Sequence, residues 1–299
     1  MSKFACNRTT WIVLIVLACL IIVLAAPSPV LPATACPLGS AEPCGVPDIS
    51  LVPQSLIDEA GGLAVTLFGN NAQKCRDFTS QLLGMYLMAK DAEVVIINNS
   101  GGWGWSSIVD APHGEGFIRG ADAELSGLGY DVLWLEYFRT PKTLNGCISE
   151  ILFGLGLYPS KAQDLALRVN FLTRHLPDVK IILNGESNGC TLCSDTMHLL
   201  KGNDRVYSIE MGPPVLNHNI TSGCSLVLRT NGFIPDAFSE GDFISIFRTN
   251  IETLLGISPQ YPGNILLYVG APGHDYAWEY PRVGPVISAF LENCLGKNS

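Results

Sequence analysis

The sequence predicts an α/β protein with a doubly wound, mostly parallel sheet, preceded by an N-terminal apolar helix. Three observations carry this. Short unbroken apolar runs recur at residues 94–97, 132–135, 181–183, 226–228 and 265–269, with a weaker one at 206–209. Runs without polar alternation suit strands covered on both faces, which is the habit of parallel sheets. Segments of helical periodicity lie between the runs, and strands alternating with helices wind a sheet on both sides. The composition, 47% hydrophobic and 15% charged over 299 residues with no internal repeat, can fill one large core.

Taken in order, the chain opens with Lys3 and Arg8 ahead of an uninterrupted apolar stretch at residues 11–26, which Pro27 and Pro29 terminate. Its length lies between a signal-peptide core and a full membrane span, so residues 1–26 are expected to be a signal peptide or a signal anchor. Ala33, Thr34 and Ala35 offer a small-residue cleavage site. Positive charge before the stretch predicts export. The rest of the chain is therefore expected to be secreted, periplasmic or membrane-anchored on the non-cytoplasmic side, with membrane association through this segment. Residues 27–53, rich in Pro, Ala, Gly and Ser, read as a linker and irregular lead-in, and residues 54–299 as the folded domain.

Residues 51–70 are read as one or two edge strands, and residues 151–157 as an apolar flap or a short core helix. Ala162, Leu165, Ala166, Val169 and Leu172 share one helical face behind a capping Ser160, and Val283, Val286, Ile287, Phe290, Leu291 and Cys294 share another. Of ten cysteines, Cys6 and Cys19 fall in or before the apolar stretch. The other eight permit disulfides in an exported domain, Cys36 with Cys44 being the simplest local pair. No His cluster accompanies them, so no metal or other cofactor is expected. A net charge of −9 and the lack of any Lys/Arg run argue against nucleic acid as a partner.

The most informative stretch is Gly185-Glu186-Ser187-Asn188-Gly189, directly after one apolar run and directly before a helical segment. This is the G-x-S-x-G turn in the strand–turn–helix context that aims a serine hydroxyl at a substrate. Glycines on either side keep side chains away from a strained serine, and the following helix directs its positive end at the reacting oxygen. Asn188 then offers a backbone N–H to a developing oxyanion. An activating base and an orienting acid must follow in the chain. His274, in the loop after the last apolar run, is the expected base, whereas His218 lies in a polar loop and His175 and His198 lie on helices. Asp236 is preferred as the acid over Asp242, which is placed to cap the next helix. Asp275 adjoins His274, where adjacent side chains rarely face one another.

From about residue 93 to residue 295 the order of elements, together with this turn, resembles the α/β-hydrolase superfamily of esterase- and lipase-like enzymes. The resemblance implies a serine hydrolase forming an acyl-enzyme on Ser187, with small-molecule esters as first substrate class and amides or peptides next. It also implies an oxyanion donor in the loop after an early strand. Here that loop is Asn98-Asn99-Ser100-Gly101-Gly102-Trp103-Gly104-Trp105, with Gly101, Gly102 and Trp103 as candidate donors. It lacks the His-Gly-Gly pattern of many lipases. Trp103 and Trp105 are expected to line a pocket or pack beneath the loop. Two other readings compete. Cys190 and Cys193 form a C-x-x-C at a helix start, as in a thiol oxidoreductase, although both share a helical stripe with Met197 and Leu200. A non-catalytic binding protein on the same fold is the other.

Overall fold

A computed structural model of the protein describes residues 34–38, 48–154, 160–215, 224–257, 263–265 and 269–296. The apolar stretch at residues 11–26, Cys44 and the loop of His218 lie outside these. The described strands are β1 (Thr34–Pro37), β2 (Val94–Asn99), β3 (Val132–Phe138), β4 (Lys180–Glu186), β5 (Val206–Met211), β6 (Ser225–Leu228), β7 (Asn264–Ile265) and β8 (Val269–Gly270). The helices are α1 (Gln54–Phe68), α2 (Ala72–Ala89), α3 (Gly114–Gly127), α4 (Leu144–Gly154), α5 (Ser160–His175), α6 (Asn188–Leu199), α7 (Ala237–Glu240), α8 (Phe243–Leu254) and α9 (Gly284–Leu295).

The first six strands form one sheet in the order β1-β3-β2-β4-β5-β6. Every pair is parallel except β1 with β3. Residues 94–97 and 181–183 sit on the two adjoining central strands, buried on both faces, which is why they read as unbroken apolar runs. Each fully buried Ile or Leu there contributes about 1.5–3 kcal/mol by leaving water. One face of the sheet is covered by α2, α5 and α6, through Met85, Leu165, Val169, Leu192 and Met197. The other is covered by α3 and α9, through Phe117, Leu125, Ile287 and Leu291. The fold is α/β and doubly wound, as the sequence predicts.

Three expectations are corrected. Residues 51–70 form a helix, α1, not edge strands. Leu56, Ala60, Leu63, Ala64 and Leu67 recur at helical spacing and pack on Phe78 and Leu82 of α2, while the adjacent Gly61 and Gly62 weaken the helical signal. The lead-in at residues 27–53 is not wholly irregular, because Thr34–Pro37 pairs with β3 as the antiparallel edge strand. The described ends of the run at 265–269 do not join the main sheet. They lie in β7 and β8, which pair antiparallel with each other in a separate small ribbon. Of the segment at 151–157, the described residues 151–154 lie in helix α4, with Leu152 and Phe153 buried. Among the described residues no helix is long and apolar enough to cross a membrane.

The register places the site. Asn99 lies opposite Gly185, Glu186 opposite Met211, and Met211 opposite Leu228. The carboxyl ends of β2, β4, β5 and β6 are therefore aligned, and the segments that follow them emerge along one edge. Open parallel sheets bind ligands at this edge. Helix α8 is tied to the β7–β8 ribbon, with Asn250 bonded to both backbone groups of Gly270. This helix buries Ile246 and Thr249 and turns Phe243, Ile244, Phe247 and Leu254 outward.

One buried side chain makes the fold pH-sensitive. Glu210 on β5 is 1% exposed and one of its oxygens has no partner. Burial pushes its carboxyl up to about 7, with Asp195 adding to the shift against the Ser208 hydrogen bond and the charge of Arg229. A carboxyl raised above its unfolded value favours folding when protonated, so stability falls as pH rises from about 4.5 to 7. The penalty at pH 8 is roughly 3 kcal/mol. Glu210→Gln should therefore raise the Tm at pH 8 by roughly 5–10 °C and leave it nearly unchanged at pH 4.5. Melting curves at the two pH values check this, and an equal shift at both would refute it.

Candidate active site

Ser187 follows β4 at once and precedes the first residue of α6. Its φ of 51° and ψ of −120° make it the only non-glycine residue at positive φ among those described. Such a conformation costs of order 1–3 kcal/mol and persists only where the surroundings impose it. They do so here. A side chain at Gly189 would place its Cβ 1.9 Å from the Asn99 carbonyl oxygen, and one at Gly185 would meet Cys193 Sγ at 2.8 Å. The two glycines of the motif are thus required by close approach of β2 and α6. The Ser187 N–H donates to the Met211 carbonyl at 2.9 Å, which ties the turn to the end of β5.

Asp236 and His274 arrive on two other segments and meet. His274 Nδ1 lies 2.7 Å from Asp236 Oδ2, both side chains being buried. Asp236 also accepts from Tyr276 Oη at 2.7 Å, from Ser239 Oγ at 3.0 Å, and from the N–H groups of Phe238 and Ser239 at the start of α7. Burial works to raise its carboxyl. The hydrogen bond and charge of His274, with the bonds from Tyr276 and Ser239, outweigh burial and hold it below the ordinary range. Phe238 packs edge-on against the imidazole, ring centroids 5.2 Å apart.

Gly212 brings this pair to the serine. It follows Met211, adopts φ +66°, and a Cβ there would come within 2.6 Å of His274 Cε1 and 2.9 Å of Asp236 Oδ2. The residue whose carbonyl holds the Ser187 N–H is therefore the chain neighbour of the residue that touches the His–Asp pair. The backbone of Ser187 and the side chains of His274 and Asp236 thus all lie at the end of β5.

The alternatives fall elsewhere. Asp242 caps α8 through Ser245 N–H at 3.0 Å, as expected of a capping residue. Asp275 bonds His113 at 2.9 Å and Tyr280 at 2.8 Å instead of His274. His175 pairs with Glu59, and His198 is exposed on α6. Cys190 and Cys193 are wholly buried, and burial pushes both thiols well above their ordinary range. That is the opposite of the lowered, accessible thiol that exchange chemistry requires, so the oxidoreductase reading is set aside.

The loop after β2 lies beside the serine. A Cβ at Gly101 would be 3.2 Å from Ser187 Cβ, and the Asn188 side chain donates to the Gly102 carbonyl at 3.2 Å. The N–H groups of Gly101, Gly102 and Trp103 donate to no acceptor among the described residues. Trp103 and Trp105 stack face to face with centroids 5.8 Å apart. The far end of the loop is fixed by Glu136, which accepts from Ser107 Oγ at 2.6 Å and Ile108 N–H at 2.8 Å. Sequence reasoning missed Tyr276, Ser239, Gly212 and Glu136. Tyr276 had a signal, its place two residues after His274. Gly212 and Glu136 are ordinary residue types whose roles depend on contacts between distant segments, and Ser239, three residues after Asp236, reads only as part of a helix start.

No protein-family model and no curated protein matches the chain. Among solved structures it is similar to a Trichoderma reesei cutinase in complex with a phosphonate inhibitor, at 13% identity and a TM-score of 0.39, covering 64% of this chain and 82% of that one. It is also similar to a cutinase-like protein from Cryptococcus sp., at 18% identity and a TM-score of 0.28, covering 40% of this chain and 53% of that one. A hydrolase from Oleispira antarctica aligns at 14% identity and a TM-score of 0.26, covering 55% and 50%. On its own geometry the chain is a doubly wound α/β protein, a mostly parallel sheet with a strained serine turn between β4 and α6.

Proposed function

We propose that the protein is a serine hydrolase that cleaves carboxylic esters through an acyl-enzyme on Ser187. The observation that carries this reading is the convergence at β5. A buried serine in a strained turn is tied by its N–H to Met211, and the next residue, Gly212, lies against the hydrogen-bonded His274–Asp236 pair. His274 removes the Ser187 proton as the hydroxyl oxygen attacks the ester carbonyl. Asp236 holds the imidazole in the tautomer that presents its free nitrogen, and stabilises the imidazolium that forms. Backbone N–H groups of Asn188 and of the loop at Gly101, Gly102 and Trp103 receive the negative charge on the carbonyl oxygen. His274 returns the proton to the departing alcohol, then activates water for deacylation.

Apolar esters fit the surroundings. The Trp103–Trp105 stack supplies apolar surface on the loop that lies beside Ser187. The N-terminal stretch at residues 11–26 supports export of this domain, with membrane association where the segment is retained. The test is a panel of p-nitrophenyl esters from acetate to palmitate on the full chain. Turnover is expected, with total loss after a fluorophosphonate and none after iodoacetamide, since both motif thiols are buried. Loss of activity with the thiol reagent alone, or turnover of no ester, would sink the proposal.

A further inference from the structure

Carbonyls of the glycine-rich loop converge on one buried side chain that no step above uses. Arg139 follows β3 directly and its side chain is wholly buried. Nη1 donates to the Ser100 carbonyl at 2.5 Å, and Nη2 to the Gly102 carbonyl at 3.3 Å. The Arg139 backbone N–H donates to the Gly104 carbonyl at 3.1 Å. Gly104 adopts φ +75°, and a Cβ there would lie 2.6 Å from Arg139 Cγ, so the loop is shaped around this side chain. Behind it, Glu150 accepts from Arg139 Nε at 2.8 Å and Nη2 at 2.6 Å, and from Thr140 and Lys161 at 2.9 and 2.7 Å.

A trans peptide unit is planar, with its N–H opposed to its C=O. The Ser100 carbonyl belongs to the same unit as the Gly101 N–H, and the Gly102 carbonyl to the same unit as the Trp103 N–H. Pulling both carbonyls onto the guanidinium therefore turns those two N–H groups away from it. Neither has an acceptor among the described residues, and Gly101 lies against Ser187. We propose that Arg139, braced by Glu150, is the positioning residue of the oxyanion site: it anchors the loop by its carbonyls so that the Gly101 and Trp103 N–H groups face the reacting oxygen. This rests on the ester-hydrolase reading of Ser187. A planar guanidinium can span two carbonyls and a carboxylate at once, whereas the compact ammonium of lysine cannot.

The experiment compares Arg139→Lys with Arg168→Lys, the latter being the other buried arginine, paired with Asp164 and outside the site. On p-nitrophenyl acetate, Arg139→Lys is expected to lose about a hundred- to a thousandfold in kcat with KM little changed, the loss seen when an oxyanion donor is removed. Its affinity for an alkylboronic acid, which binds as a tetrahedral anion, should weaken in parallel. Arg168→Lys should melt lower and keep its kcat. If Arg139→Lys does not fold, Glu150→Gln replaces it, with at least a tenfold fall in kcat at constant KM expected. Undiminished kcat in whichever of the two folds overturns the anchoring role, as does an equal kcat loss in Arg168→Lys. Ser187→Ala separates the two ideas. If that variant stays active, the site reading itself has failed. If it is dead while Arg139→Lys is unimpaired, only the anchoring role falls.

Discussion

Ser187→Ala is expected to lower kcat for p-nitrophenyl esters by about a millionfold while leaving the domain folded. Losses of that size follow removal of the nucleophile from a Ser–His–Asp constellation, because the base and acid have nothing else to activate. The residual rate should reflect only substrate binding and the backbone donors. Stability gives a second reading of the same residue. Ser187 holds φ 51°, where any Cβ is strained, and alanine keeps that Cβ. Ser187→Gly removes it, so the glycine variant should be equally dead yet melt at or above the alanine variant, even though glycine loses more freedom on folding. Paired turnover assays and thermal melts check both statements. Turnover within a hundredfold of the parent in a folded Ser187→Ala protein would place the nucleophile elsewhere.

The central sheet was legible because its strands are covered on both faces. Residues such as Val94, Ile96, Ile181 and Leu183 have no polar neighbour to face water, so their runs stand out unbroken. The same criterion misread the run at 265–269, whose described ends, Ile265 and Val269, pair with each other in a separate ribbon. Apolar continuity reports burial and does not report which strand is the partner. Helix α1 was hidden by two glycines, and β1 by proline-rich surroundings, although an edge strand tolerates proline. In the site, Ser187 carried its own local signature. The turn, the two glycines and the helix start are fixed within five residues. His274 and Asp236 were singled out from their place after apolar runs, and the structure pairs them. The partners that tune them were not legible. Tyr276 and Ser239 share Asp236 Oδ2 with His274, and Gly212 is required by the closeness of that pair. Tyr276 and Gly212 reach the pair across long stretches of chain that no periodicity or spacing encodes, whereas Ser239 lies three residues after Asp236, where a serine reads as an ordinary helix-start residue.

The acid is decided by comparing Asp236→Asn with Asp242→Asn. Asp236 Oδ2 lies 2.7 Å from His274 Nδ1 and has two further donors, Tyr276 Oη and Ser239 Oγ. Together these hold the carboxyl below its ordinary range despite burial, so it is an anion at neutral pH and can stabilise the imidazolium formed as Ser187 attacks. An asparagine amide is neutral there. With its N–H₂ toward Nδ1 it would donate to that nitrogen, forcing the proton onto the nitrogen that must accept it from Ser187. In serine proteases this error costs about ten-thousandfold in kcat, and a loss of that order is expected for Asp236→Asn. The Tyr276 and Ser239 hydroxyls, which share Oδ2 with His274, would then face a donor, and the α7 N–H groups on Oδ1 a neutral acceptor, so the variant should also melt lower. Asp242 has another task. It accepts from the N–H and hydroxyl of Ser245 at the exposed start of α8, and asparagine caps a helix about as well as aspartate. Asp242→Asn should therefore keep its turnover and nearly all of its stability. The assay is kcat on one ester at pH 8 for both variants, with circular dichroism to establish folding. If Asp242→Asn is the dead variant, the acid moves there. If Asp236→Asn turns over within tenfold of the parent, the 2.7 Å contact to His274 is structural and the proposed mechanism has no acid.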